Sequence, residues 1–319
     1  MTQRSRLAGL GRAARIAAGA FAIALVSAAI LTRVLAARAE AAFPMLGEHV
    51  TVEGLRQHVL VRGDGPPIVL VHGAYGGMQD FAATVLGELE REHRCVLWDR
   101  PGHGYSDRPS GDAGPDVQGR ILASLVRELE LERPLLVGFS YGGTVCLAAA
   151  LEDPDAFRGV VLVNAPTHTW SEPDDADVRL ARVPVLGRLI SETVAAPLGR
   201  VLGQEGIERA FAPRPVPATF ARSPIALALR PASYRANTQD VGLLKRVLSE
   251  QSPRYPSLDL PIVALVATED RIVSPTNHIP QLERAAPNCL QIRIPDAGHQ
   301  LLYTHPERVL AAIAEVGAD

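Results

Sequence analysis

Lysine is almost missing from this chain. Lys245 is the only one, and every other member of the 32 Lys and Arg residues is arginine. We read that as a base-composition bias of the coding genome rather than as chemistry. Against 35 acidic residues the formal net charge is −3, so there is no basic footprint for nucleic acid and none is expected as a partner. Cysteine is scarce too. Cys95, Cys146 and Cys289 are too few for a disulfide framework, and none has the CxxC or Cys/His spacing of a metal site. They read as small buried hydrophobes. Internal repeats and long low-complexity linkers are also lacking. With 47% hydrophobic and 21% charged residues, the composition excludes a disordered chain. Nothing calls for a nucleotide or metal cofactor. A length of 319 residues allows one sizeable α/β domain, or a core with an insertion.

What is present is organised around residues 135–150, LLVGFSYGGTVCLAAA. An apolar strand-like run leads into Gly138-Phe139-Ser140-Tyr141-Gly142, and an Ala-rich helical run follows from Thr144. A serine between strand and helix in G-x-S-x-G is the setting of a nucleophile elbow. Glycines beside it let strand and helix approach closely, and the hydroxyl sits where helix N–H groups favour negative charge. The motif alone is weak, because Gly and Ser are common. A serine nucleophile also needs a base and an oxyanion site elsewhere in the chain.

The first forty residues stand apart. Arg4, Arg6, Arg12 and Arg15 precede an uncharged run, residues 16–32, which Arg33 closes. Seventeen residues lie at the lower end of what crosses a bilayer, and residues 34–37 extend the run if Arg33 snorkels. Positive charge before the run predicts a cytoplasmic N-terminus with the following domain on the non-cytoplasmic side. The alternative is a secreted protein, with a signal peptide cleaved at the small-residue site Ala37-Arg38-Ala39. The apolar run exceeds the usual 7–15 residues of such a signal, so an uncleaved membrane anchor over residues 1–39 is the expectation.

From residue 40 the pattern alternates. Residues 49–53 and 57–62 read as an antiparallel hairpin. Residues 68–71, 95–98, 135–139, 160–163, 262–267 and 290–294 are apolar runs suited to strands covered on both faces. Helical patterns lie between them at residues 78–92, 117–131, 277–285 and 306–315. This implies a doubly wound, mostly parallel sheet. From residue 165 to 258 the rhythm breaks. Pro184, Pro197, Pro213, Pro215, Pro217, Pro224 and Pro231 punctuate short helical patterns at 178–182, 186–195 and 241–248. That segment is expected to be a helical cap inserted in a core made of residues 40–164 and 259–319.

In open parallel sheets, functional groups gather at the carboxyl ends of strands. Here those ends carry Ser140, then Thr268-Glu269-Asp270, then Asp296-Ala297-Gly298-His299, with His72-Gly73-Ala74-Tyr75-Gly76-Gly77 after an early strand. The order Ser140, Asp270, His299 is that of one convergent type of catalytic triad. With D-R-P-G-H-G-Y-S-D at 99–107, T-E-D-R-I-V-S-P at 268–275 and A-G-H-Q at 297–300, the chain resembles the α/β-hydrolase fold family, in its serine esterase-like group with a helical cap. The resemblance covers residues 49–317.

The resemblance implies that Ser140 is the nucleophile, His299 the general base and Asp270 the residue that orients it, with backbone N–H groups of Ala74 and Tyr141 as oxyanion hole. Glu269 competes with Asp270 only by proximity, and Asp296 is read as structural. His72, His103, Asp99 and Arg100 are read as shaping loops. Trp170, Phe211, Phe220 and Tyr234 line either an acyl pocket or the cap core. Haloalkane dehalogenases and epoxide hydrolases of this fold attack with aspartate and carry His-Gly-x-Pro. Ser140 and Tyr75 depart from both. The implied activity is therefore hydrolysis of a carboxylic ester, lipid-like ester or lactone through an acyl-enzyme. C–C bond hydrolysis and cofactor-free perhydrolysis are alternatives, and a non-catalytic ligand-binding homologue is the remaining class.

Overall fold

The short apolar runs become strands of one sheet. In the computed structural model, which describes residues 3–171, 176–181 and 183–317, the strands are β1 (Glu48–Val52), β2 (Leu55–Arg62), β3 (Pro67–Val71), β4 (Arg94–Trp98), β5 (Leu135–Phe139), β6 (Gly159–Val163), β7 (Ile262–Ala267) and β8 (Cys289–Ile294). Their order is β1-β2-β4-β3-β5-β6-β7-β8. β1 and β2 form the antiparallel edge, and all pairings from β4 through β8 are parallel. The continuous apolar runs follow from burial on both faces. Val69 and Val71 enter one core with Leu136, Val160 and Leu162, while Ile68 and Leu70 enter the other with Val137, Val161 and Val163. The strand order reverses between β3 and β5. That switch point leaves a crevice outside their carboxyl ends, where the loop after β3 faces Ser140.

Several local expectations are corrected. The helix expected at 78–92 is two single turns, Gln79–Ala82 and Leu86–Leu89. Thr84 Oγ1 turns back to the Asp80 carbonyl at 2.6 Å, and such back-bonding bends a helix. The helix after Ser140 begins at Tyr141, not Thr144. The N-terminal helix is one continuous element, Gln3–Ala42, running past the expected end of the anchor. Between β6 and β7 the chain carries the helices Ala176–Ala181, Pro184–Thr193, Ala195–Phe211 and Pro231–Gln251, the last two longer than the proline pattern suggests. Residue 182, in the expected 178–182 helix, lies outside the described residues. Pro184 and Pro231 open their helices rather than break them, since the first turn needs no N–H. Cys95 and Cys146 are buried as expected, and Cys289 is half-buried.

The N-terminal helix packs against the helices 184–193 and 195–211. Thr32 is fully buried and its Oγ1 donates to the Thr193 carbonyl at 2.6 Å. Arg33 pairs with Glu192 at 2.9 Å, and Glu40 with Arg230 at 3.0 Å. Residues Arg15–Ala42 are long and apolar enough to cross a membrane, or to act as a signal sequence.

Candidate active site

Ser140 ends β5 and starts the helix Tyr141–Glu152 at φ 51° and ψ −124°, a conformation costing on the order of 1–3 kcal/mol in a residue with a Cβ. The surroundings over-determine it. The Ser140 N–H donates to the Val163 carbonyl at 2.8 Å, and the Gly143 N–H to the Ser140 carbonyl at 2.9 Å. A Cβ on Gly142 would overlap the Val71 carbonyl oxygen, and one on Gly138 the Cα of Gly143. Only glycine closes this turn.

Two more strand ends converge on the serine. His299 Nε2 lies 3.0 Å from Ser140 Oγ, and His299 Nδ1 lies 2.7 Å from Asp270 Oδ2. The second carboxylate oxygen, Oδ1, accepts the N–H groups of Ile272 at 2.7 Å and Val273 at 2.9 Å. Those donors aim Oδ2 at the imidazole. A carboxylate partner keeps the proton on Nδ1 and leaves the Nε2 lone pair for the serine hydroxyl. All three side chains are buried, with Ser140 8% exposed, Asp270 7% and His299 5%. Glu269 is exposed. Asp296 forms a turn at φ 51° whose carbonyl accepts from Arg214 at 3.0 Å.

The loop after β3 lies against the elbow. A Cβ on Gly73 would stand 3.0 Å from Ser140 Cβ. Tyr141 is the first residue of its helix, so its N–H has no acceptor within the helix. Ala74 is half-buried against the core beside it. Arg100 braces both elements. Its Nε donates to the His72 carbonyl at 2.9 Å and its Nη2 to the Gly73 carbonyl at 3.0 Å. The guanidinium also lies 4.4 Å over the Tyr141 ring. The Arg100 N–H donates to His72 Nε2 at 3.0 Å, and His72 Nδ1 donates to the Gly73 carbonyl at 2.8 Å. That arrangement needs a neutral imidazole, and burial followed by the Arg100 charge holds the His72 pKa well below the ordinary 6.5. Burial, then Arg100 and Arg108, does the same for His103. Asp99 accepts from the Met78 N–H at 3.0 Å and pairs with His58 at 2.7 Å. Burial alone would raise its pKa, but the His58 hydrogen bond and the neighbouring histidines bring it below the usual value.

Phe211 is fully buried and meets Phe220 at 4.9 Å, which in turn meets Tyr303 at 5.2 Å. These rings are core, on the face of the sheet shared with Ile68 and Leu70. Trp170 is half-buried, with Lys245 Nζ 4.9 Å from its ring centre, and Tyr234 is half-buried.

The family model for the alpha/beta hydrolase fold matches residues 66–306, which takes in Ser140, Asp270, His299 and the loop after β3. The chain belongs to the α/β-hydrolase fold family. Over 278 residues this α/β-hydrolase is 29% identical to haloalkane dehalogenase 2 of Mycobacterium tuberculosis, a match covering 82% of this chain and 91% of that relative. Over 135 residues it is 36% identical to the 2-hydroxy-6-oxo-2,4-heptadienoate hydrolase of Pseudomonas putida, covering 41% of this chain and 49% of the relative. A thermophilic esterase of Thermogutta terrifontis superposes with a TM-score of 0.66 at 26% identity, covering 84% of this chain and 96% of the esterase. Hydrolysis is common to these relatives, and this protein is a hydrolase of that fold.

Three polar residues near the site left no mark in the sequence pattern. Asn164, at φ 49° after β6, accepts the Ala267 N–H at 2.8 Å and donates to the His299 carbonyl at 2.9 Å. It therefore ties the Asp270 strand to the His299 loop. Asn237 Oδ1 accepts the Tyr75 N–H at 2.7 Å, and Asp240 Oδ2 takes Arg100 at 2.7 Å. Both sit on the helix Pro231–Gln251. Neither falls in the helical pattern expected at 241–248, and an Asn and an Asp three apart match any solvated face.

Proposed function

We propose that this protein is a serine hydrolase that cleaves a carboxylic ester through an acyl-enzyme, with Ser140, His299 and Asp270 as its triad. The observation that carries the reading is the buried hydrogen-bonded chain from Ser140 Oγ to His299 Nε2, 3.0 Å, and from His299 Nδ1 to Asp270 Oδ2, 2.7 Å. As Ser140 Oγ bonds to the ester carbonyl carbon, its proton passes to His299 Nε2. Asp270 holds the imidazolium by the Nδ1 hydrogen bond. The carbonyl oxygen becomes an oxyanion and takes the N–H groups of Tyr141 and Ala74, each contributing about 3 kcal/mol to lowering the barrier. The oxyanion collapses, the alcohol departs with the proton from Nε2, and the acyl group stays on Ser140. Water then repeats the sequence, giving its proton to Nε2 and releasing the acid.

The similarity to haloalkane dehalogenase 2 does not extend to the nucleophile. Dehalogenases of this fold use aspartate, and Ser140 occupies that position. The 36% match to a heptadienoate hydrolase favours C–C bond hydrolysis as the second reading, because the same serine chemistry serves both. Residues 165–258 act as the cap over a core of residues 40–164 and 259–319. The helix Gln3–Ala42 is retained as an anchor, with the catalytic domain on the non-cytoplasmic side. Cleavage at Ala37-Arg38-Ala39 would discard Thr32 and Arg33, which bind Thr193 and Glu192.

The test is intact-mass analysis of the full chain in detergent after exposure to a fluorophosphonate, beside Ser140→Ala. A single adduct on the wild type, absent from the variant, is expected, and an ester panel against a vinylogous diketone then separates ester from C–C hydrolysis. Folded wild type that takes no adduct overturns the hydrolase assignment of Ser140 and turns attention to ligand binding.

A further inference from the structure

Exposed apolar side chains are not spread evenly over this protein. Of the twelve large ones among the described residues beyond the N-terminal helix, eight fall between residues 180 and 202. On the helix Pro184–Thr193, Val185 is 83% exposed, Leu186 38% and Leu189 42%. On the helix Ala195–Phe211, Leu198 is 50% exposed, Val201 73% and Leu202 67%. Leu198, Val201 and Leu202 are spaced three and four apart and share one face, as do Val185 and Leu189. A concentration of this kind marks a surface made for an apolar partner.

The N-terminal helix indicates which partner. It packs against these same two helices. The side of it they cover runs through Leu25, Ala28, Ala29, Thr32, Leu35 and Ala39, a stripe of half-buried and buried residues at helical spacing. Leu25, Ala28 and Ala29 belong to the uncharged run of residues 16–32. Where that run lies in a bilayer, the helices packed beside its last two turns lie at membrane depth as well. From Leu25 to Thr32 the rise is about 10 Å at 1.5 Å per residue, comparable to the roughly 5–10 Å to which interfacial helices sink.

We infer that the helices 184–193 and 195–211 dock on the outer leaflet of the bilayer that holds the N-terminal helix, with Val185, Leu189, Leu198, Val201 and Leu202 entering the acyl-chain boundary. This rests on the reading of the N-terminal helix as a retained membrane anchor. The docked cap presents the enzyme to substrates dissolved in the leaflet. It is a second membrane contact, separate from the spanning segment.

The experiment uses the full chain with Cys289→Ser, since Cys95 and Cys146 are buried. A single cysteine carrying an NBD fluorophore is introduced as Ala20→Cys, Val185→Cys, Leu202→Cys or Glu128→Cys. Each protein is reconstituted in phosphatidylcholine vesicles with nitroxide on the acyl chains. Quenching is expected at 20, 185 and 202 and not at 128. Quenching at 20 without quenching at 185 and 202 overturns the docking and leaves the anchor standing. No quenching at 20 overturns the anchor reading itself. A blue shift at 185 that follows protein concentration and ignores nitroxide overturns the inference in favour of a second copy of the chain.

The double variant Val185→Glu with Leu202→Glu gives a functional readout. Hydrolysis of a long-chain ester embedded in vesicles is expected to fall roughly a hundredfold, since partition changes about tenfold for each of the two side chains kept in water. Hydrolysis of a water-soluble short-chain ester is expected to stay unchanged. Equal rates on embedded ester overturn the inference.

Discussion

Asp240 and Arg100 meet at 2.7 Å with neither side chain exposed, and through this pair the helix Pro231–Gln251 grips the backbone beside Ser140. Asp240 Oδ1 also takes Arg108 at 2.7 Å and Gln118 Nε2 at 3.0 Å, so one buried carboxylate pairs with two guanidinium groups. Of its other donors, Arg100 gives Nε to the His72 carbonyl and Nη2 to the Gly73 carbonyl, with Gln118 Oε1 and His103 Nε2 as further partners. The loop that faces the serine is therefore held from the side opposite to the reaction.

Removing one partner of such a pair leaves an uncompensated buried charge. Asp240→Ala is expected to cost about 3–5 kcal/mol of stability, read from urea unfolding of the detergent-solubilised protein. A loss below about 1 kcal/mol, the range of exposed pairs, contradicts the structural role assigned to it.

Asn237 holds the Tyr75 N–H without carrying charge. Asn237→Ala frees the loop that bears Ala74, and a small misplacement near reacting atoms lowers kcat by about tenfold to a hundredfold. Since the residue positions the loop and touches no substrate, KM is expected to stay within a factor of about two. A change confined to KM refutes a positioning role.

Asn164 satisfies the Ala267 N–H and the His299 carbonyl together. Asn164→Ala takes the side-chain acceptor from the Ala267 N–H and one donor from the His299 carbonyl, which keeps the Leu301 N–H at 3.0 Å, at a cost of about 1–3 kcal/mol, and loosens the Asp270–His299 geometry. Stability and the rate of fluorophosphonate labelling are expected to fall together, and labelling at the wild-type rate speaks against the link.

Two glycines, Gly142 and Gly206, differ sharply in what a methyl group meets. Gly142→Ala runs into the Val71 carbonyl and is expected to yield little folded protein. Gly206, in the helix Ala195–Phe211, has nothing within 4 Å of an added Cβ. Gly206→Ala is expected to stabilise by about 1 kcal/mol through helix propensity. Thermal unfolding of the pair checks both signs.

His278 sets a pH dependence. Burial first, and then the His168 charge, pull its pKa from the ordinary 6.5 down to about 4. The unfolded chain therefore binds the proton before the folded one, and stability is lost as pH falls from 6.5 toward 4, by about 3 kcal/mol in all. His72 and His103 act in the same direction. Asp80, whose pKa burial raises, acts in the opposite one. Urea midpoints at pH 7.5, 5.5 and 4.5 are expected to decline less in His278→Gln than in the wild type, and parallel declines exclude the assignment.

Parts of the site were legible because the physics is local. A strand buried on both faces needs an unbroken apolar run, and residues 135–139 and 160–163 supply one. A turn too tight for a Cβ needs glycine at Gly138 and Gly142. Helix Ala195–Phe211 was not legible. Gly199, Gly203 and Gly206 lower its intrinsic propensity, and its packing on the N-terminal helix and on Leu229 outweighs that. The aromatic residues Phe211 and Phe220 read equally as pocket or core, and only their packing against Tyr303 decides for core.

The sequence by itself determined the strand series, the mostly parallel doubly wound sheet and the order of Ser140, Asp270 and His299, since periodicity and steric demand are written within a few neighbouring residues. The tertiary structure alone decided that Asn164, Asn237 and Asp240 brace the site, and that the N-terminal helix lies along the helices Pro184–Thr193 and Ala195–Phe211. Those partners are separated by scores of residues along the chain, and a long-range hydrogen bond or helix contact leaves no periodic trace in the segments that form it.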